Sequence, residues 1–201
     1  MSLDQIARRH GTDKSSEHHN YCPTYERYFE PLRNHPIILL ELGIGGYDRP
    51  GIGGHGLKTW EEYFHQGKIY GVDNQDKSFL DKGRIKTFCC GQDDPVALNN
   101  IIGEIGFPDI IIDDASHVSP LTIKSFQLLF PLLKVGGIYV IEDVHASYWP
   151  DHGYHGGTHE GTTMNYFKRL ADSLNASESK VPNGEGIKSI QFWEKLIFVL
   201  K

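Results

Sequence analysis

Ile37-Ile38-Leu39-Leu40-Glu41-Leu42-Gly43-Ile44-Gly45-Gly46 is a short apolar run that meets an acid and then breaks into glycine. Six residues rich in Ile and Leu predict a buried strand. The glycines let the backbone turn sharply and approach a ligand closely. Beyond them, Leu57 to Gln66 has helical period, so the opening unit reads strand, glycine turn, helix. The alternation then repeats. Lys68 to Asp73 is a second strand and Arg84 to Cys90 a third. A helix over Pro95 to Ile105 follows, with Asp93 or Asp94 near its start and Pro95 suited to a first turn. Asp109 to Ile112 is the fourth strand, and the next helix runs from about Pro120 to Leu133. Val135-Gly136-Gly137 then turns the chain into a fifth strand. Near-continuous apolar strands separated by helices predict an α/β fold with a mainly parallel sheet, helices covering both faces. The closing segment, Ile187 to Leu200, holds two strand-like stretches with no room for a crossover helix, which predicts an antiparallel hairpin on the sheet edge.

At 201 residues, with 39% hydrophobic and 23% charged content, the chain reads as one well-buried domain. Its expected parts are a helical N-terminal extension over 1–35 and an α/β core over 36–201. A net charge of −6 gives no electrostatic case for nucleic acid or a membrane surface. No apolar run reaches the length of a membrane span, and Met1-Ser2-Leu3-Asp4-Gln5 lacks the apolar core of a signal peptide. Cys22, Cys89 and Cys90 form neither a disulfide framework nor a CxxC spacing. Free thiols suit a reducing compartment, which predicts a cytoplasmic protein.

Two of the strands end in paired acids: Ile110-Ile111-Ile112-Asp113-Asp114-Ala115-Ser116-His117 and Ile138-Tyr139-Val140-Ile141-Glu142-Asp143-Val144-His145. Open α/β sheets bind ligands beyond the carboxyl ends of their strands. Four acids converging there repel one another unless a cation or raised pKa values relieve the charge, which points to a divalent metal and an enzyme. One of Asp113 and Asp114 also has a plain role as the cap of the following helix. Asp113 is read as bonding to backbone or cofactor, and Asp114 as the acid in register with the motif. His117, three residues past Asp114, sits on the turn leaving the strand, where it could take a proton; its plain reading is a surface loop histidine.

The turn after the first strand fails the dinucleotide fingerprint GxGxxG, because the third glycine falls at Asp48. It resembles instead the ExGxGxG turn of class I S-adenosylmethionine-dependent methyltransferases, with Tyr47 in the last place. Asp73, at the second strand end, can accept hydrogen bonds from both hydroxyls of an adenosine ribose. Gln92 and Asp93, after the third strand, can read an adenine edge. Taken singly, Gly43 to Gly46 is a plain strand–helix turn and Asp73 a solvated strand end.

More of the chain carries a narrower likeness. Gly11-Thr12-Asp13-Lys14, His19 to Tyr28, Glu41 to Tyr47, Asp113 to His117, Glu142 to Pro150 and Ser189 to Trp193 resemble the metal-dependent macrolide-sugar O-methyltransferases, of the mycinamicin and macrocin type. The resemblance implies a Rossmann-like class I methyltransferase fold and a magnesium ion held by Asp114, Glu142 and Asp143, with His117 as general base. It implies cofactor contacts from Glu41, Gly43, Gly45, Asp73, Gln92 and Asp93, and places Lys14 near the methionine carboxylate. On spacing alone, the Lys14 segment is helix-capping and surface charge. The implied activity is methyl transfer from S-adenosylmethionine to a hydroxyl of a glycosylated natural product, and a homo-oligomer stays open. The alternatives are a metal-dependent hydrolase without an adenosyl cofactor, its acids and histidines activating water, and a non-catalytic cofactor-binding domain. His145, His152, His155 and His159 lie among glycines that describe a flexible segment and not a zinc frame. The expectation is a lid over 145–163, with Tyr148 and Trp149 offering flat apolar surface to the substrate.

Overall fold

A computed structural model of the chain describes residues 1–47, 49, 51–150, 153, 155–157, 159–175 and 186–201. The chain divides into two compact units, Met1–Gly91 and Gln92–Lys201.

In the first unit, helices α1 (Leu3–His10) and α2 (Cys22–Phe29) lead into strand β1 (Ile38–Leu42). Helix α3 (His55–Tyr63) and strands β2 (Lys68–Asp73) and β3 (Ile85–Cys89) follow. The strands run parallel in the order β3-β2-β1, with Leu42 opposite Val72 and Asp73 opposite Cys89. Helix α1 opens on a Ser2–Gln5 capping box and stops where Gly11 takes a left-handed φ of 71°. Leu3, Ile6 and Ala7 form its buried face, and α1 packs on α3. Tyr25 and Phe29 of α2 meet Trp60 of α3 and Phe64 beyond it in a buried aromatic cluster. Edge-on ring pairs of this kind each contribute about 1 kcal/mol beyond their area burial.

The second unit holds helix α4 (Pro95–Ile105), strand β4 (Ile110–Asp113), helix α5 (Ser119–Leu129) and strand β5 (Ile138–Ile141). Helix α6 (Thr163–Asp172) and strands β6 (Ser189–Trp193) and β7 (Leu196–Leu200) complete it. Here β4 pairs with β5 in parallel, β5 with β7 antiparallel and β7 with β6 antiparallel. Every residue of β4 and β5 is buried, as the unbroken apolar runs require for strands covered on both faces. Phe126 of α5 packs against Tyr139 of β5 and Phe167 of α6, at centroid distances of 5.1 and 4.8 Å.

The α/β class, the parallel strands and the antiparallel hairpin agree with the sequence. Four details differ. Helix α3 starts at His55, two residues early, because Gly54 at φ 80° lets the chain enter it from the glycine loop, and it ends at Tyr63, three residues short of Gln66. Helix α5 stops at Leu129 and passes into a 3-10 turn over Phe130–Leu132, since Pro131 cannot extend the α-helical ladder. Neither Asp113 nor Asp114 caps α5: its N-cap is Val118, with no side-chain bond, and Asp113 closes β4 instead. Lys14 is no surface charge, being 2% exposed. Within the proposed lid stretch, Val144–Tyr148 forms a 3-10 turn and α6 begins at Thr163, capped by the Thr162 hydroxyl. His152 lies outside the described residues.

Candidate active site

In the first unit, β1 delivers Glu41 and the glycine turn to one strand end. Gly43, Gly45 and Gly46 all have left-handed φ, at 85, 73 and 80°. At Gly46 a Cβ would collide with the Ile52 carbonyl, so the loop closes on itself only with glycine there. Lys77, 3% exposed, spans the loop from within, donating from Nζ to the carbonyls of Tyr47 (2.8 Å) and Ile52 (3.2 Å). Asp73 stands beside the turn: Oδ2 accepts the Ile44 N–H and Oδ1 the Gln75 N–H, both at 2.9 Å. Each carboxylate oxygen has a second lone pair, which leaves room for a pair of ribose hydroxyls. Glu41 is buried at the first turn of α3, where a Cβ on Gly56 would crowd its carboxylate, and Lys14 Nζ lies 3.5 Å from it. The helix N-terminus and the ammonium together stabilise that buried negative charge.

In the second unit, the parallel pair β4 and β5 brings both acid pairs to one edge. The ligand atoms of Asp114, His117 and Asp143 all lie within 4.8 Å of one another. His117 Nε2 is 4.0 Å from Asp114 and 3.7 Å from Asp143, and all three side chains are partly open to solvent. Glu142 is 3% exposed, and its carboxylate comes within 4.8 Å of Asp114. Two like charges that close, one of them buried, are costly without a cation between them. Asp114, Glu142 and Asp143 offer carboxylate oxygens, the donors that hard divalent cations such as magnesium take, and His117 offers a nitrogen beside them. The residues fit that ion.

Backbone strain marks the same place. His117 and Asp143 hold left-handed φ values of 57 and 51°. For residues with a Cβ this conformation costs about 1–3 kcal/mol each and persists only where neighbours enforce it. Beside Asp143 the enforcing contact comes from the hairpin: the Val144 N–H donates to the carbonyl of Lys195, in the β6–β7 turn. His145 Nδ1 stands 3.9 Å from Asp143, and its ring meets Trp149 edge-on at 4.6 Å. Tyr148 and Trp149 are 52% and 41% exposed, leaving flat apolar surface next to the acids.

Asp113 and Gln92 are differently placed from the rest. Asp113 is 2% exposed; it accepts from Ser125 Oγ at 2.5 Å, Tyr139 Oη at 3.4 Å and the Ala115 N–H at 3.4 Å. Burial pushes its carboxyl up to about 6, against the opposing pull of the Ser125 bond. Gln92 is buried, its Oε1 taken by the Ser116 N–H and its Nε2 directed at Ser125. Asp93 is exposed, and Asp94 caps α4 by accepting from Val96 and Ala97. Ser125, Lys77, His145 and the Lys195 turn all shape the site without a legible sequence signal. Each acts through a contact 25 or more residues away or through a backbone carbonyl, except His145, which a zinc-type spacing screen puts in the wrong company.

Comparison with known proteins returns sugar O-methyltransferases. The chain is 39% identical, over 99% of its length, to 8-demethyl-8-alpha-L-rhamnosyl tetracenomycin-C 2'-O-methyltransferase of Streptomyces olivaceus. It is 40% identical, over 90% of its length, to demethylmacrocin O-methyltransferase of Streptomyces fradiae. These matches cover 54% and 47% of the two relatives, so the chain spans about half of their length. Among solved structures, the MycE methyltransferase of the mycinamycin biosynthetic pathway, in complex with Mg, SAH and mycinamycin VI, superimposes with a TM-score of 0.94. That match has 36% identity and covers 100% of this chain and 53% of the other. No family model matches the sequence.

Proposed function

Because the chain resembles the metal-dependent macrolide-sugar O-methyltransferases in sequence and fold along its whole length, we propose that it is a member of that family. Its activity is then S-adenosylmethionine- and magnesium-dependent methylation of a sugar hydroxyl on a glycosylated natural product, carried by a single methyltransferase domain. The observation that supports this best is the cluster of Asp114, His117 and Asp143 with buried Glu142 alongside.

A sugar hydroxyl is a weak nucleophile at neutral pH, so its proton must leave as the methyl group arrives. Asp114, Glu142 and Asp143 would hold magnesium, which when bound would supply Lewis-acid polarisation of that hydroxyl. His117 accepts the proton, and the two carboxylates within 4.0 Å of its Nε2 stabilise the imidazolium that forms. As the new O–C bond forms in line, the S–C bond breaks and leaves S-adenosylhomocysteine. Asp73 holds the ribose, Gly43 and Gly45 give the backbone its close approach, and Asp93 is free to meet the adenine. Tyr148 and Trp149 present their faces to the sugar or its aglycone. The fit of oxygen donors to a hard cation supports this reading over a water-activating zinc site.

Purified protein incubated with S-adenosylmethionine, magnesium and a rhamnosylated polyketide should release S-adenosylhomocysteine, and EDTA should stop it. Turnover that ignores the chelator would remove the metal from the scheme.

A further inference from the structure

The segment that carries two of the site's groups, Asp114 to His117, has no regular secondary structure. It leaves β4 and reaches α5 through a left-handed turn at His117, so side chains must hold it. Three acceptors hold the backbone N–H groups of this segment and of Val118 just after it. Asp113 takes Ala115 at 3.4 Å, Ser116 Oγ takes Val118 at 3.3 Å, and Gln92 Oε1 takes Ser116 at 3.1 Å. Only Gln92 among these comes from outside the segment and its strand.

The amide of Gln92 is itself oriented. Its Nε2 donates to Ser125 Oγ at 3.3 Å, and Ser125 gives its single hydroxyl proton to Asp113 Oδ2 at 2.5 Å. Asp113 in turn accepts from Ala115, which closes a ring of bonds: Ser116 to Gln92 to Ser125 to Asp113 to the same loop. All three side chains are at least nine-tenths buried, so no water competes for their bonds. Reversing the amide would aim Nε2 at the Ser116 N–H and leave two donors facing each other. The ring therefore has one direction and one loop geometry.

We propose that Gln92 is a positioning residue: through Ser116 it sets Asp114 and His117 in place for metal binding and proton transfer, with Ser125 fixing its amide. This rests on the reading of the acids as a magnesium site, and gives Gln92 a role distinct from contact with the cofactor. Supporting side chains of this kind commonly alter metal affinity by about 10- to 100-fold.

The test is titration calorimetry of magnesium alone into the protein, with thermal melting of each metal-free variant alongside. Gln92→Met and Ser125→Ala should each weaken magnesium binding about tenfold or more in protein that is still folded at the titration temperature. Ser125→Thr, which keeps the hydroxyl, should restore affinity to within about threefold of wild type. Binding of S-adenosylhomocysteine to Gln92→Met should stay within about threefold. Unchanged magnesium affinity in both variants, with only the melting temperature lowered, would overturn the positioning role. So would selective loss of S-adenosylhomocysteine binding by Gln92→Met. A wild-type protein that binds no magnesium would instead contradict the metal site itself.

Discussion

Glu142 is buried whereas Asp114 and Asp143 are partly open, and Asp114 lies close to each of the other two, so their substitutions should differ accordingly. Asp114→Asn keeps the shape and the backbone, and removes a carboxylate charge from an open position. It should lower magnesium-dependent turnover about a hundredfold or more, while S-adenosylhomocysteine affinity, read by calorimetry, stays within a few-fold. His117→Gln should cost about 10²–10⁴ in kcat and leave magnesium binding nearly intact if, as proposed, it takes the proton. Sequence alone makes Asp114, Glu142 and Asp143 legible, since paired acids at strand ends are an electrostatic signal. It misplaces Lys14, whose burial beside Glu41 depends on where α1 ends. It also leaves Gln92 ambiguous, because an amide after a strand serves a ligand and a neighbouring loop equally well until Ser125 is seen beside it.

Elements carry the strain that those residues need. The glycine loop of the first unit is shaped by Gly46 and clasped by Lys77, so its geometry is a property of the whole segment. Gly46→Ala would put a Cβ into the Ile52 carbonyl at a left-handed φ of 80°. It should weaken S-adenosylhomocysteine binding about tenfold or more by calorimetry, with magnesium affinity unchanged. At the other site the β6–β7 hairpin supports the Asp143 turn through the Lys195 carbonyl. Asp94→Ala removes the cap of α4 and should cost about 1 kcal/mol in urea unfolding. Strands and the α4 helix were readable to within a residue or two because apolar runs, Pro95 and strand-end acids mark them. Helix α6 was not: its buried contacts are chiefly Thr163 and Phe167, too few to stand out from the glycine- and histidine-rich stretch before it.

Across the whole molecule, the glycine turn belongs to the first unit and the acid cluster to the second. Among the described residues no helix is long and apolar enough to cross a membrane. The likeness to the relatives runs along the full chain but over about half of theirs, so the reaction is best tested directly on this chain. Any ligand that binds only the folded state raises its melting temperature, the more so the further its concentration exceeds its Kd. Magnesium and S-adenosylhomocysteine added together should therefore raise it more than either alone, and EDTA should reverse the magnesium part. The most direct measurement is mass spectrometry of a rhamnosylated polyketide after incubation with the protein, S-adenosylmethionine and magnesium. The expected result is an acceptor heavier by one methylene, formed in step with S-adenosylhomocysteine, absent with EDTA and restored by excess magnesium. Methylation that persists undiminished in EDTA, or a folded protein that binds no S-adenosylmethionine, would contradict a metal-dependent sugar O-methyltransferase.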